Sequence, residues 1–474
     1  MSSSRRRGAS APRTAAALLA AGCVGVGAWL HPHWAPLLGP GGDAVPVARS
    51  VPAEPPAPAG AVRPDPAAPA PAPGEVAAAV DAALAGVPAG RRSALVADAL
   101  TGQPLLERDA DAALVPASNQ KLVTLLSLLA HAAPGERLRT RVLAGEDPAT
   151  VVLVAGGDTL LSPGRSDPAA VMGRAGIRTL AERTARELAA RGTTGPVTVR
   201  WDAGLFAGPG LNDAWAAEDV AADRIGPVAP MAFWSHRVPD GDGPGAARPQ
   251  EPARDVAAVL AAELRELLPA GPGGPPAVTI APGRAPAGAE ELAAVESATL
   301  AEQARLMVQD SDNHLAEVLS RLAAAAAGHP GSIAGGRAAA AEALAAHGVP
   351  AAGAELSDAS GMSLRNRLSA RTLEHVVRAM ATDGTGALAP GARALPVAGG
   401  GGTLADRFDD APEHPGQGVV RAKTGTLYTV VSLSGHVTTD GGRLLTFSVL
   451  LGDVSDPAAA RDAVDRAVAA LARL

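Results

Sequence analysis

Lysine occurs at only two positions in this 474-residue chain, Lys121 and Lys423, and the other 39 of its 41 basic side chains are arginine. An arginine guanidinium stays charged in a protein, whereas a lysine amine can lose its proton. A GC-rich genome explains the arginine bias but not where the two lysines remain. Lys121 ends a Ser-x-x-Lys stretch that begins at Ser118, and Lys423 begins a Lys-Thr-Gly stretch. We therefore expect a fold that brings a helix carrying Ser118 and Lys121 close to a strand carrying Lys423.

Composition excludes several classes of function. The formal net charge is -7 and the only basic run is at positions 5–7, so the concentrated cationic face that nucleic acid requires is not expected. The single cysteine, Cys23, excludes an intrachain disulfide, so packing must hold the fold. The histidines lack metal-site spacing. We therefore expect no nucleic-acid partner, no metal and no cofactor, and a large core in a chain that is 47% hydrophobic.

Residues 1–40 have the pattern of an export signal. Arginines at positions 5, 6, 7 and 13 precede an apolar stretch from Ala15 to Leu30. No sharp small-x-small cleavage site follows, so two alternatives stay open: a cleaved signal peptide, or an uncleaved anchor that attaches the protein to a membrane. Residues 41–74 are rich in Pro and Ala, which is typical of an extended, unpacked linker.

Hydrophobic periodicity then predicts one domain built from two separated parts, residues 75–140 and 296–474. Its last strands form an antiparallel meander with a hairpin at 440–442, followed by a closing helix that begins at Asp456. Residues 141–295 have shorter mixed elements, which indicates an inserted α/β region of one or more domains. The predicted fold class is therefore α/β (α+β): an antiparallel sheet flanked by helices, an all-helical region, and an inserted mixed domain.

Ser118 and Lys121 lie one helical turn apart, so their side chains share a face. A serine hydroxyl is a weak nucleophile until a base takes its proton, and Lys121 can do this only as a neutral amine. Lowering its pKa from about 10.4 by ~3 units costs about 4 kcal/mol of differential interaction. Burial in an apolar site, with a second ammonium from Lys423 nearby, acts in that direction.

The strand supplies groups that suit a substrate carboxylate. Lys423 offers a fixed charge, and Thr424 and Thr426 offer hydroxyls. Gly425 has no side chain, so the backbone of the strand can approach a ligand closely.

A Ser-Asp-Asn stretch at 311–313 lies between the two lysine motifs, flanked by predicted helix from 300 to 326. Ser311 can relay a proton to a leaving amine, and Asn313 can bind an amide through both ends of its side chain. Asp312 is predicted to be a solvated loop carboxylate without a role.

These stretches resemble the D-alanyl-D-alanine carboxypeptidases of the S13 serine peptidase family, which are class C low-molecular-mass penicillin-binding proteins. Residues 116–122 resemble that family's first motif, and residues 358–363 and 402–407 are similar to two further recurring stretches. The likeness runs from about Ala89 to Leu474. Two positions depart from it: Ala359 stands where glycine is usual, and Tyr428 where smaller residues are common. We expect Tyr428 to pack in a half-buried strand rather than to narrow the rim of a cleft.

The resemblance implies a penicillin-binding protein/β-lactamase-like transpeptidase fold and an acyl-enzyme mechanism on peptidoglycan stem peptides outside the cytoplasm. Ser118 attacks the penultimate D-Ala carbonyl, Lys121 acts as the base, and Ser311 helps to protonate the departing D-Ala. β-Lactam antibiotics acylate the same serine as inhibitors. The implied binding groups are Asn313 for the peptide, Lys423, Thr424 and Thr426 with Gly425 for the terminal carboxylate, and the backbone N–H groups of Ser118 and Thr426 for the oxyanion.

Other functions stay open at this point. A serine β-lactamase or SxxK esterase uses the same groups, but roughly 190 residues separate Ser118 from Ser311, more than a compact lactamase needs, and no Glu-x-x-x-Asn stretch supplies a deacylating glutamate. A protein that binds peptidoglycan without cleaving it is a further alternative. Carboxypeptidase and endopeptidase activities require the same groups, so the sequence does not decide between them.

Overall fold

The computed structural model describes residues 63–237, 248–270, 274–383 and 386–474. The signal or anchor predicted for residues 1–40 lies outside the described residues. The strands are β1 (Ala89–Asp98), β2 (Pro104–Arg108), β3 (Arg137–Ala144), β4 (Thr150–Val154), β5 (Val197–Asp202), β6 (Val278–Pro282), β7 (Glu291–Thr299), β8 (Val420–Leu427), β9 (Val430–Thr438) and β10 (Leu444–Val454). The helices are α1 (Pro73–Leu84), α2 (Gln120–His131), α3 (Ile177–Ala190), α4 (Ala217–Ala221), α5 (Pro252–Leu267), α6 (Leu300–Gln309), α7 (Asn313–Ala326), α8 (Ile333–Ala346), α9 (Ala370–Ala381), α10 (Ala389–Ala394) and α11 (Pro457–Ala472).

The first sheet joins the two ends of the chain. Its five strands are antiparallel in the order β2-β1-β10-β9-β8, so β8 lies at an edge. Within the part of the chain that the structure describes, the outer side of β8 is paired near its start, where Ala422 N donates to Pro396 O and Ala398 N donates to Val420 O. Because backbone groups on one side of a strand recur every second residue, the N–H and C=O of Thr424 and Thr426 point to the same outer edge.

Side chains alternate across this sheet. In β10, Leu445, Phe447, Val449 and Leu451 belong to the core that α1 and α11 close. The opposite face of the sheet, which α9 covers, carries polar side chains. One of them, Thr446, donates its Oγ1 hydrogen bond to Glu374 Oε1 of α9 at 2.5 Å. The antiparallel meander and closing helix are therefore as predicted, and α11 begins with Asp456 accepting hydrogen bonds from two backbone N–H groups of its first turn.

A helical region and a second sheet complete the fold. Helices α2, α6, α7, α8 and α10 pack on one another beside the first sheet. The second sheet has the order β6-β5-β4-β3-β7, with parallel pairs β4–β5 and β5–β6 and antiparallel pairs around β3. It spans Arg137 to Thr299 and packs against α3 and α5. These features confirm the predicted mixed α/β class with an antiparallel sheet and flanking helices.

The chain is already packed before residue 75, so the prediction of an unpacked linker to residue 74 is wrong at its end. Asp65 N donates to Gly442 O at 2.9 Å, and Arg443 Nη1 donates to Pro66 O at 2.8 Å. Composition did not show this because Pro-rich backbone offers carbonyl acceptors without any apolar periodicity. Among the described residues, no helix combines the length and hydrophobicity that a membrane crossing requires.

Candidate active site

Ser118 lies in a 3-10 turn, Ala117–Asn119, immediately before α2. Ala117 has a φ of 47°, in the left-handed region that non-glycine residues rarely adopt. Gly361 explains how this turn fits, because a Cβ on Gly361 would lie 1.9 Å from Ala117 O. The sequence placed Ser118 on the helix, but α2 begins at Gln120, so the serine lies just before the N-terminal end of the helix.

Lys121 is completely buried and joins three segments of the chain. Its Nζ lies 3.2 Å from Ser118 Oγ, 2.8 Å from Asn313 Oδ1 and 2.5 Å from Ser360 O. Burial lowers its pKa to about 8, against the opposing influence of the Asp358, Asp312 and Glu317 carboxylates. An amine with this pKa is neutral in a sizeable fraction of molecules near pH 8, so it can accept a proton from the adjacent hydroxyl.

The Ser-Asp-Asn stretch forms a tight turn between α6 and α7. Ser311 has a φ of 53°, and Asp312 caps α7 by accepting a hydrogen bond from Leu315 N at 3.0 Å. Asp312 also forms an ion pair with Arg237 at 3.1 Å and is only 4% exposed. The expectation that Asp312 is a solvated loop carboxylate is therefore wrong. Among the described residues, the structure gives no hydrogen bond between the Ser311 hydroxyl and Ser118 or Lys121.

Lys423 is also completely buried, and its Nζ donates to Thr424 O at 2.8 Å. Thr424 Oγ1 donates to Thr403 Oγ1 at 2.9 Å, and Thr426 is exposed at the open edge of β8. Burial, followed by the charges of Lys121 and Arg407, holds the pKa of Lys423 well below its usual range. Burial therefore opposes the predicted fixed charge of Lys423, and a substrate carboxylate beside the amine would favour its charged form.

Gly425 is required by packing against the Ser118 turn. A Cβ here would lie 2.2 Å from Ser432 Oγ and 2.9 Å from Asn119 Nδ2. Ser432 Oγ donates to Pro116 O at 2.8 Å and accepts from Asn119 Nδ2 at 2.6 Å. The absent side chain therefore lets the strand approach the serine turn, whereas the sequence suggested that it lets the strand approach a ligand.

The loop at 358–363 delivers the Ser360 carbonyl to Lys121. Asp358 accepts hydrogen bonds from Gly361 N, Ser363 N, Asn366 Nδ2 and Trp215 Nε1 at 2.7 to 3.1 Å. The sequence showed that this stretch resembles a family pattern but gave Asp358 and Ser360 no role. Their only sequence signal was that resemblance, because neither lies at a fixed short spacing from the lysines.

Residues from the middle of the chain also contact the Ser-Asp-Asn turn and the start of α7. The rings of His236 and His314 stack with centroids 4.7 Å apart, and Gly226 N donates to His314 Nε2 at 2.8 Å. Residues 234–236 all have positive φ, which places Arg237 against Asp312. Burial lowers the pKa of His236 to about 3 and also holds the pKa of His314 well below its ordinary value, so both rings are neutral near pH 7.

Tyr428 follows the Lys-Thr-Gly-Thr stretch in the turn between β8 and β9, with a φ of 50°. It is 49% exposed, and its hydroxyl lies 3.1 Å from Asp219 Oδ2 of α4. The expectation that Tyr428 simply packs is therefore wrong: it connects the end of β8 to the middle of the chain beside the open strand edge.

Within the part of the chain that the structure describes, no group of three or more His, Cys, Asp or Glu side chains could hold a metal ion.

A serine beside a buried lysine, with an asparagine on that lysine and a Lys-Thr-Gly strand across from it, defines a serine enzyme of the penicillin-binding class. The sequence profile of the D-Ala-D-Ala carboxypeptidase 3 (S13) family matches residues 76–239 and 242–474. The chain belongs to this family and is a serine-type D-Ala-D-Ala carboxypeptidase, which confirms the resemblance and the predicted activity.

Known relatives agree with this assignment. The chain is 40% identical over 384 residues to a carboxypeptidase of Mycobacterium tuberculosis, an alignment that covers 79% of this chain and 80% of the relative. It is 36% identical over 425 residues to carboxypeptidase DacB of Mycolicibacterium smegmatis, with 89% of each chain covered. The substrate class is therefore the D-Ala-D-Ala end of peptidoglycan stem peptides, in a polymer outside the cytoplasmic membrane.

The fold is shared with a solved structure. The chain aligns with penicillin binding protein 4 (dacB) from Haemophilus influenzae with a TM-score of 0.68 and 18% identity, covering 83% of this chain and 99% of that one. This likeness confirms the predicted penicillin-binding fold.

Proposed function

We propose that Ser118 forms the acyl-enzyme and that Lys121 is its general base. The observation that carries this assignment is the 3.2 Å contact between Ser118 Oγ and the buried Lys121 Nζ. In the acylation step Lys121 takes the hydroxyl proton as Oγ attacks the carbonyl carbon of the penultimate D-Ala. The C–N bond breaks and the departing D-Ala amine takes a proton, for which Ser311 is the proposed relay. Water then releases the shortened peptide from Ser118.

The terminal carboxylate of the substrate binds along the open edge of β8. Lys423 and the hydroxyls of Thr424 and Thr426 are the proposed partners, and Gly425 holds the strand close to the serine turn. The backbone N–H of Thr426 lies on the outer edge of the strand by its register and, with the N–H of Ser118, is proposed to bind the oxyanion. Asn313, at 2.8 Å from Lys121, is proposed to orient the peptide.

Isolated muropeptides test the function itself. Purified protein is incubated with monomeric and cross-linked muropeptides, and products are scored by mass. Loss of one D-Ala from monomers is the expected result, and broken cross-links would add an endopeptidase activity. If neither mass change occurs with folded protein, the proposal fails.

Penicillin provides a second readout of the same serine, because the strained amide mimics the substrate. We expect a mass adduct on Ser118 that persists. An adduct that turns over rapidly would favour the β-lactamase alternative.

The rate of reaction is expected to rise with pH because the base must be neutral. With a Lys121 pKa of about 8, kcat/KM should increase nearly tenfold per pH unit below pH 7 and level off above about pH 8. The measurement is D-Ala release from diacetyl-Lys-D-Ala-D-Ala between pH 6 and pH 10. A flat profile across pH 6 to 9 would contradict a lysine base.

We propose two alternatives for the location of the protein, which depend on its N-terminal segment. Cleavage of the N-terminal segment would leave a secreted protein, whereas an uncleaved segment would anchor it to a membrane. Mass analysis of the mature N-terminus distinguishes the two.

A further inference from the structure

A small cavity lies where α2, α7 and α8 meet. It measures about 20 Å³ for the centre of a water-sized sphere, which is room for about one water molecule. Gln120 and Thr124 line it from α2, Glu317 and Arg321 from α7, and Asp358 from the adjoining loop. Gln120 Oε1 and Arg321 Nε are buried in its wall without a hydrogen-bond partner among the described residues.

One carboxyl group in this cavity wall is connected to Lys121 through a single residue. Glu317 Oε1 accepts hydrogen bonds from Ala359 N at 3.0 Å and Ser360 N at 2.9 Å. Ser360 O in turn accepts from Lys121 Nζ at 2.5 Å, and Thr124 Oγ1 donates to Ala359 O at 2.7 Å. The backbone of Ala359 and Ser360 is therefore held from α7 through its N–H groups and from α2 through the Ala359 carbonyl, next to the Ser360 carbonyl that accepts from Lys121.

The same group carries a charge next to the base. Glu317 is only 4% exposed, and the carboxylates that act on Lys121 are those of Asp358, Asp312 and Glu317. Lys423 is the other amine whose charge interacts with that of Lys121, and Arg321 on α7 is the cation whose charge interacts with that of Glu317. Burial, followed by repulsion from Asp358, raises the pKa of Glu317 to about 7.

We propose that Glu317 is a positioning residue for the reaction: it fixes the backbone N–H groups of Ala359 and Ser360, and thereby the Ser360 carbonyl that accepts from Lys121, and its charge controls how tightly that amine holds a proton. The inference rests on the proposed role of Lys121 as base. An ionised Glu317 favours the ammonium form of Lys121, and a neutral residue at 317 favours the free amine. Glu317 is buried and accepts two backbone hydrogen bonds, so its effect on position and its effect on charge both act on the Lys121 amine.

The scarcity of lysine makes a direct test feasible. Full-length protein labelled with [13Cε]lysine gives two signals, Lys121 and Lys423, which Lys423→Arg assigns. In Glu317→Gln the amide oxygen still accepts both backbone hydrogen bonds but the charge is gone. We expect the Lys121 titration midpoint to move about one pH unit toward acid, and the rising limb of kcat/KM to move with it. Glu146→Gln, at an exposed glutamate between β3 and β4, is the matched control and should move neither.

Glu317→Ala separates position from charge. It removes the carboxylate oxygen that accepts both backbone hydrogen bonds. We expect kcat at the pH optimum to fall at least about tenfold in Glu317→Ala, whereas Glu317→Gln should keep most of the wild-type kcat. An unchanged Lys121 titration in Glu317→Gln, or full activity in Glu317→Ala, would overturn the proposal. If the titration shifts but the kcat/KM limb does not follow, Glu317 does control the amine and Lys121 is not the base, so the failure lies in the proposed function.

Discussion

Ser118→Ala is expected to reduce D-Ala release by at least about 10⁴-fold, because among the described residues Ser118 supplies the hydroxyl that contacts the Lys121 amine. The residual rate reflects substrate binding and the oxyanion site alone. The loss should be in kcat, with KM changed little, since the hydroxyl takes part in bond formation rather than in holding the peptide. The measurement is D-Ala release from diacetyl-Lys-D-Ala-D-Ala, with penicillin adduct formation followed by mass.

Ser455→Ala, at an exposed serine just before α11, is the matched control and should retain both activities. Thermal unfolding of Ser118→Ala should remain cooperative, because the side chain makes few contacts beyond the lysine. Retention of D-Ala release above about one-tenth of the wild-type rate in the folded Ser118→Ala protein would refute the catalytic assignment.

Lys121→Arg should cause a loss of at least about 10³-fold across pH 6 to 10, with no recovery at high pH. A guanidinium does not deprotonate in this range, so the variant keeps a cation but loses the base. Lys423→Arg makes the same substitution at the other lysine, where a cation for the substrate carboxylate is what the proposal requires. We expect Lys423→Arg to lose only about tenfold, with its kcat/KM limb moved toward acid by the permanent charge near Lys121.

The comparison of these two variants is the measurement, because both introduce a larger side chain into a completely buried site. Melting temperatures check that each variant folds. Equal losses in Lys121→Arg and Lys423→Arg would mean that size, rather than proton transfer, determines the effect, and the general-base role would have to be abandoned.

The sequence predicted those parts of the fold that depend on local periodicity. The strands of the first sheet, the closing helix with Asp456 at its start, and the helices on both sides of the Ser-Asp-Asn turn follow from apolar spacing and capping residues. The motif order also identified the family, because rare lysines in two unrelated local patterns carry more information than either pattern alone.

What failed depended on contacts between distant residues. Asp312 looked like a loop carboxylate because its partner Arg237 lies 75 positions away, and Tyr428 looked like a strand residue because Asp219 lies 209 positions away. The lowered pKa of Lys423 could not be predicted for a related reason: burial is a property of the whole fold, and it opposes the charged form of an amine. Glu317 lies in none of the sequence motifs. Its proposed role is indicated only by the structure, in which the backbone N–H groups of residues 359 and 360 donate to it.

The contacts that the middle of the chain makes around the active site limit how far this enzyme could be shortened. Arg237 supports the cap of the helix that begins at Asn313, Trp215 holds Asp358, and Asp219 holds Tyr428. A shortened enzyme made by deleting residues 137–299 would therefore lose the contacts that Arg237, Trp215 and Asp219 make with Asp312, Asp358 and Tyr428. This region therefore contributes contacts to residues around the proposed active site, and we expect the enzyme to need it.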